Sequence, residues 1–159
     1  DSWPNALNLA NSIFNKADTL KLNKQSHSQK RNLLPGFINF FNQLKHQGII
    51  CALISNDNSF GINNFLVNNN LDKEITHFWS CDNIPVKPNP QAVEKLCKIV
   101  KVNPKNCALI GDSDSDLQMA RQAGIQLALG YTGGWRTAPL LNHHHHLIHH
   151  WDEIRLGCI

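Results

Sequence analysis

The sequence predicts an α/β fold: a three-layer, Rossmann-like parallel sheet with helices on both faces, preceded by a small helical piece at the N-terminus. Residues 49–54 and 107–110 are continuous apolar runs, the pattern of strands buried on both sides of a sheet. Each run is bracketed by stretches whose apolar residues recur at helical spacing. Such alternation of strand and helix requires a parallel sheet covered on both faces. With 159 residues, the chain is long enough for one domain with a real core and too short for two complete ones.

Taken in order, Trp3, Ala6, Leu7, Ala10 and Phe14 fall at helical spacing, with Pro4 tolerated in a first turn. The polar stretch that follows reads as a weak helix and a linker. Residues 1–32 are therefore expected to be a small helical piece and linker ahead of the main domain, residues 33–159. Pro35-Gly36 opens a helix with the stripe Phe37, Phe40, Phe41 and Leu44, and Gly48 ends it. The run 49–54 is a strand, and a helix over about 59–69 turns Ile62, Phe65 and Leu66 inward. Residues 75–81 read as a strand. Pro90 starts a helix carrying Val93, Leu96, Cys97 and Val100, with Asn89 placed as its N-cap. The strand 107–110 leads into a helix ending near Ala123, then a short strand at 126–129.

Composition narrows the function. Hydrophobic content of 42% with 17% charged residues is that of a globular domain rather than a disordered chain. The net charge is only +3, and no Lys/Arg run is interleaved with aromatics, so nucleic acid is not the expected partner. A small anionic ligand suits this charge. The five cysteines are odd in number and lack C-x-x-C spacing, which points to free thiols in a reducing cytosol. No apolar run approaches the ~20 residues of a membrane span, and no membrane partner is expected. The oligomeric state is not legible.

In parallel sheets the ligand lies beyond the carboxyl ends of the strands, which directs attention to three places. Gly111-Asp112-Ser113-Asp114-Ser115-Asp116 sets three carboxylates within five residues after a buried strand. In a crevice they repel one another unless a cation neutralises them, and hard oxygen ligands suit Mg²⁺. The plainer alternative is a helix N-terminus, in which Ser113 and Asp116 form a capping box. Ser55-Asn56 ends the first apolar run and offers a hydroxyl and an amide to phosphate oxygens, or else makes an ordinary turn. Lys87, in Lys87-Pro88-Asn89-Pro90, is an ammonium on a stiffened loop, able to neutralise a phosphoryl group or to sit idle on the surface.

In this order, strand-Ser-Asn, Lys-Pro-x-Pro-helix and strand-Gly-Asp-x-x-x-Asp-helix resemble the second, third and fourth motifs of the haloacid dehalogenase (HAD) superfamily. The resemblance runs from about residue 33 to 154. Ala123-Gly124-Ile125 and Gly130-Tyr131-Thr132-Gly133-Gly134-Trp135 are similar to the tail of its phosphoglycolate phosphatase-like branch, and Leu147-Ile148 and Trp151-Asp152-Glu153-Ile154 resemble the variable strand and closing helix of its members. The resemblance implies a Mg²⁺-dependent phosphomonoester hydrolase acting on a small phosphorylated metabolite through a phospho-aspartate. Ser55 and Asn56 would bind the phosphoryl group, Lys87 and Asp116 would serve catalysis, and Asp112 would hold the metal. The first motif, Asp-x-Asp-Gly-Thr, which supplies nucleophile and general acid/base, is nowhere in this chain. The resemblance implies that residues 1–32 are a partial helical cap and linker and residues 33–159 the core domain, in a chain that begins inside the cap and lacks that motif's strand. A non-catalytic domain that binds phosphate or a partner is the alternative. A receiver-like signalling domain fits less well, because its acid pair belongs on the first strand.

The histidines of 143–150 offer pairs at helical spacing that could take Zn²⁺ or Ni²⁺. Trp135 and Trp151 read as packing residues.

Overall fold

The computed structural model describes residues 7–11, 32–135 and 137–157. Its centre is a six-stranded sheet in which every adjacent pair is parallel. The strands are β1 (Leu7–Asn11), β2 (Cys51–Ile54), β3 (His77–Trp79), β4 (Cys107–Gly111), β5 (Leu127–Tyr131) and β6 (His146–Ile148), in the spatial order β3-β2-β1-β4-β5-β6. The helices are α1 (Phe37–His46), α2 (Ser59–Asn68), α3 (Gln91–Ile99) and α4 (Asp114–Gln122), with 3-10 turns at Pro104–Asn106 and Trp151–Glu153.

Side-chain alternation along the strands divides the interior into the two faces that a three-layer fold requires. Ala52 and Ile54 of β2 and Leu109 of β4 share one core with Val93, Leu96, Leu117 and Met119, which come from α3 and α4. Cys51 and Leu53 of β2 and Ile110 of β4 pack into the other, with Phe37, Phe40, Leu44, Ile62 and Phe65 from α1 and α2. Trp151 belongs to this second core, stacked on Tyr131 at 4.8 Å between ring centroids, in line with its reading as a packing residue. Gly48 has φ of +68°, the left-handed geometry that a helix-ending glycine supplies at low cost. Cys51, Cys97 and Cys107 are buried free thiols, and burial pushes the Cys51 thiol up to about 12.

The N-terminal segment corrects the sequence reading. Leu7, Ala10 and their neighbours fit a helix stripe, yet residues 7–11 form β1, hydrogen-bonded on both sides, to β2 and to β4. The strand that was expected to be missing from the middle of the sheet is thus present, and the core domain takes in residues ahead of 33. The physical reason is tertiary. A gap between β2 and β4 would leave two rows of backbone groups unpaired, and the alternation in Leu-Asn-Leu-Ala-Asn suits a strand as well as its longer spacing suits a helix. Residues 1–6 and 12–31, on which the rest of the cap expectation falls, lie outside the described residues.

Smaller differences are of extent. The strand expected over 75–81 is three residues long, and the closing helix is a single 3-10 turn. Asn89 sits one residue before the N-cap Pro90, but its side chain still accepts from the Gln91 N–H at 3.0 Å.

Strand order reverses at β1: the chain moves outward through β2 and β3, then returns to place β4 on β1's other side. The crevice at such a switch point, beyond the carboxyl ends of the strands, is where open α/β sheets bind ligands. Here it lies between β1 and β4.

Candidate active site

Asp112 is the first residue after β4 and is therefore delivered to that crevice by the sheet itself. It is 7% exposed, and Asp116, one turn into α4, is fully buried. Gly111 makes this proximity possible: a Cβ there would lie 2.5 Å from the Cβ of Asp116. The Asp116 carboxylate has two tasks. One oxygen accepts from the Ser113 N–H at 3.3 Å, as a helix cap does. The other meets the Lys87 ammonium at 2.7 Å, in an ion pair whose side chains are 7% and 1% exposed. One carboxylate thus makes both the helix-cap contact and the ion pair.

Asp112 feels both neighbours. Burial, reinforced by the Asp116 charge, pushes its carboxyl up to about 7, while Lys87 and a hydrogen bond from the Trp135 side chain pull it down. A carboxyl so raised disfavours the folded state once it must ionise. Its folded value lies above the unfolded one, so its stabilising contribution is complete below about pH 4 and is lost as pH rises towards 7. We predict that in metal-free buffer the chain loses roughly 2–4 kcal/mol from this group across that window. Asp112→Asn should flatten the loss. Urea unfolding at pH 4.5 to 8 measures it, and an unchanged pH slope in the variant would contradict the assignment.

Ser55 directly follows β2 and is 3% exposed. Its N–H donates to the Trp79 carbonyl at 2.9 Å, and its Oγ accepts from the Asp57 N–H at 3.0 Å, leaving the hydroxyl proton free to donate elsewhere. Ile54 pairs with Asn11, and Ile110 with Ala10. Ser55 and Asp112 thus leave the same edge of the sheet with one strand between them, a separation of roughly 10 Å from the strand spacing. Asn56 is exposed at that edge. Lys87, Asp112 and Asp116 form a contiguous cluster, and Ser55 and Asn56 stand across β1 from it.

Asp114 goes elsewhere. Its carboxylate accepts from the Asn142 N–H at 2.7 Å and the His143 N–H at 3.2 Å, and meets the His143 ring at 2.9 Å. The His143 ring and these two N–H groups hold it below the usual carboxylate range. The other histidines are spread among separate partners. His145 accepts from the Ala128 N–H and contacts Arg121, His149 contacts Thr132, and His150 accepts from the Asp152 N–H.

Trp135 is the residue whose part in the site went unread. It follows the Thr132-Gly133-Gly134 turn beyond β5, the strand beside β4. The strand-end rule that found Asp112 reaches this turn as well.

Among the described residues, no three His, Cys, Asp or Glu side chains converge as a metal cage. A cation at Asp112 would take one or two carboxylates from these residues and complete its shell with water or ligand oxygens, which is the habit of Mg²⁺. The raised Asp112 carboxyl, short of positive charge, fits such an ion.

Comparison with known proteins places the chain in a family. The model of the haloacid dehalogenase-like hydrolases matches residues 6–129. A phosphoglycolate phosphatase of Pseudomonas putida is 31% identical over 104 residues, 63% of this chain and 38% of the relative. Phosphoglycolate phosphatase 1 of Pseudomonas aeruginosa is 29% identical over the same shares. The chain thus spans little more than a third of the length of these relatives. A HAD-superfamily hydrolase from Ehrlichia chaffeensis superposes with a TM-score of 0.59 at 28% identity, covering 66% of this chain and 53% of that one. With a family match over more than three quarters of its residues and an acidic pair at the switch point of a parallel sheet, the chain belongs to the haloacid dehalogenase-like hydrolases.

Proposed function

We propose that this chain is the greater part of the catalytic core of a Mg²⁺-dependent phosphomonoester hydrolase acting on a small phosphorylated metabolite. The observation that carries the reading is the buried Lys87–Asp116 ion pair beside the raised carboxyl of Asp112. Phosphoryl transfer is catalysed by positioning and by neutralising charge on the transferring oxygens, and this cluster is built for charge. Ser55 would donate its hydroxyl to a phosphoryl oxygen, with Asn56 as a second donor at the rim. Lys87 would offset the charge of the phosphoryl group and of the carboxylate it is transferred to. Asp112 would hold Mg²⁺, whose role is to bind phosphoryl oxygens and withdraw their charge. Asp116 would keep the Lys87 ammonium and the loop in place.

The phosphoglycolate phosphatase relatives support the substrate class, a small phosphorylated acid. Buried free thiols support a reducing, cytosolic setting. No helix among the described residues is long and apolar enough to cross a membrane.

The nucleophile is the missing part. The Asp-x-Asp-Gly-Thr motif is nowhere in this sequence, and the central strand, Leu-Asn-Leu-Ala-Asn, holds no aspartate. Without that carboxylate the acyl phosphate has no group on which to form. That favours, for this chain by itself, the second reading of a phosphate-binding domain without turnover. We expect the purified chain to release no nitrophenol from para-nitrophenyl phosphate above the buffer rate at any Mg²⁺ concentration. Metal-dependent turnover abolished by Asp112→Asn would show that another group supplies the nucleophile.

A further inference from the structure

The prolines of the loop that carries Lys87 stiffen it but do not by themselves place it against the sheet. Ile84 is 80% exposed and Val86 41% exposed, so apolar burial does not fix their positions, although the ammonium one residue further on meets Asp116 at 2.7 Å. Two side chains from other elements reach the loop backbone instead. The indole N–H of Trp79, the last residue of β3, donates to the Pro85 carbonyl at 2.8 Å. The Lys95 ammonium, on α3, donates to the Ile84 carbonyl at 3.0 Å. The two donors also face one another, with Lys95 Nζ 5.8 Å from the centre of the Trp79 ring, within the range of a cation–π contact. Trp79 is 8% exposed and set in the core, so its N–H is a fixed point. Beyond the carbonyls, the Asn89 N–H closes a local turn on Val86 at 3.0 Å.

We propose that Trp79 and Lys95 are positioning residues that hold the Lys87 ammonium at the acidic pair by gripping the carbonyls of residues 84 and 85. Backbone position matters because a lysine side chain is long and flexible. Unless its Cα is held, the ammonium spends time in water rather than against a buried carboxylate. The proposal concerns the address of Lys87 and stands on these contacts; its bearing on turnover rests on the phosphatase reading above. The two can be tested apart.

The test is competitive acylation of lysines by acetic anhydride, read by peptide mass spectrometry on this chain, with exposed Lys98 and Lys101 as internal references. In the parent chain Lys87 should be the slow lysine. Trp79→Phe keeps the ring and removes the donor, and should raise Lys87 labelling about tenfold. Lys95→Met keeps the stem and removes the ammonium at an exposed site, and should raise it about threefold. The reference lysines should not change. If Trp79→Phe disrupts the core, labelling will rise at every lysine, and Lys95→Met then decides the matter. Lys87 labelling within twofold of the parent in both variants, with cooperative unfolding intact, overturns the proposal.

The second readout is kinetic, in a form of the protein that carries the Asp-x-Asp-Gly-Thr motif. There the same variants should lower kcat about tenfold and leave KM unchanged, because a displaced ammonium weakens charge stabilisation more than substrate binding. Raised labelling with unchanged kcat confirms the grip on Lys87 and counts against the phosphatase role of that lysine.

Discussion

Lys87→Met should destabilise the chain by about 3–5 kcal/mol at pH 8, the cost typical of leaving a buried charge without its partner. Methionine conserves the length and apolar stem of lysine, so little of the loss would come from packing. What it removes is the positive charge that meets Asp116 at 2.7 Å and lowers the Asp112 carboxyl. The loss should depend on pH in a definite sense. Without Lys87, Asp112 is pushed still further above its unfolded value. Its stabilising contribution then survives at low pH and is lost as pH rises. The gap between variant and parent should therefore be widest at pH 8 and narrow towards pH 5. Asp116→Asn on the Lys87→Met background removes one of the two unpaired carboxylates while keeping an acceptor for the Ser113 N–H, and should recover part of the loss. Urea unfolding of the parent, both single variants and the double variant at pH 5 and pH 8 measures all of this. Equal midpoints for Lys87→Met and the parent at pH 8 would mean that the ion pair contributes nothing in solution.

That pairing marks the boundary of what the sequence displays. Lys87 and Asp116 were each identifiable from local pattern: a lysine on a proline-stiffened loop, and an acid three residues after a helix-capping serine. Their contact was not, because 28 residues and a whole crossover helix lie between them, and only the parallel sheet brings the two loops to one edge. The strands at 51–54 and 107–111 were legible because burial on both faces leaves an unbroken apolar run, and α1 and α3 because their apolar stripes are narrow and regular. Residues 7–11 were misread as helix, since in five residues the two periods scarcely differ and the sheet on either side decides between them. Asp114 and Asp112 look alike in sequence. One accepts from the backbone N–H groups of Asn142 and His143, and the other is buried within the influence of the Lys87 and Asp116 charges. Trp135 was read as packing, because an aromatic after a Gly-Gly turn carries no mark of the carboxyl beside it.

The distinction between the two aspartates yields the largest effect on activity. In a form of the protein that carries the Asp-x-Asp-Gly-Thr motif, Asp112→Asn should lower kcat/KM by about three orders of magnitude, the scale on which charge stabilisation acts in such sites, and abolish its dependence on Mg²⁺. The amide keeps the shape of the side chain but cannot supply the anionic oxygen that a hard divalent cation prefers. Burial would be no obstacle for the amide, and the metal-free variant should be more stable than its parent at pH 8, so inactivity could not be put down to unfolding. Asp114→Asn should cost far less. Its carboxylate is engaged with two backbone N–H groups and a histidine ring, and the amide oxygen can still accept from the backbone. His143→Ala and His146→Ala should stay within about twofold of the parent, as substitutions away from the reacting atoms do, because imidazole suits Zn²⁺, Ni²⁺ or Cu²⁺ rather than Mg²⁺. Initial rates against Mg²⁺ concentration for the four variants give the result. Full activity and unchanged Mg²⁺ dependence in Asp112→Asn would remove Asp112 from the metal site; loss confined to the histidine variants would move that site to the 143–150 segment.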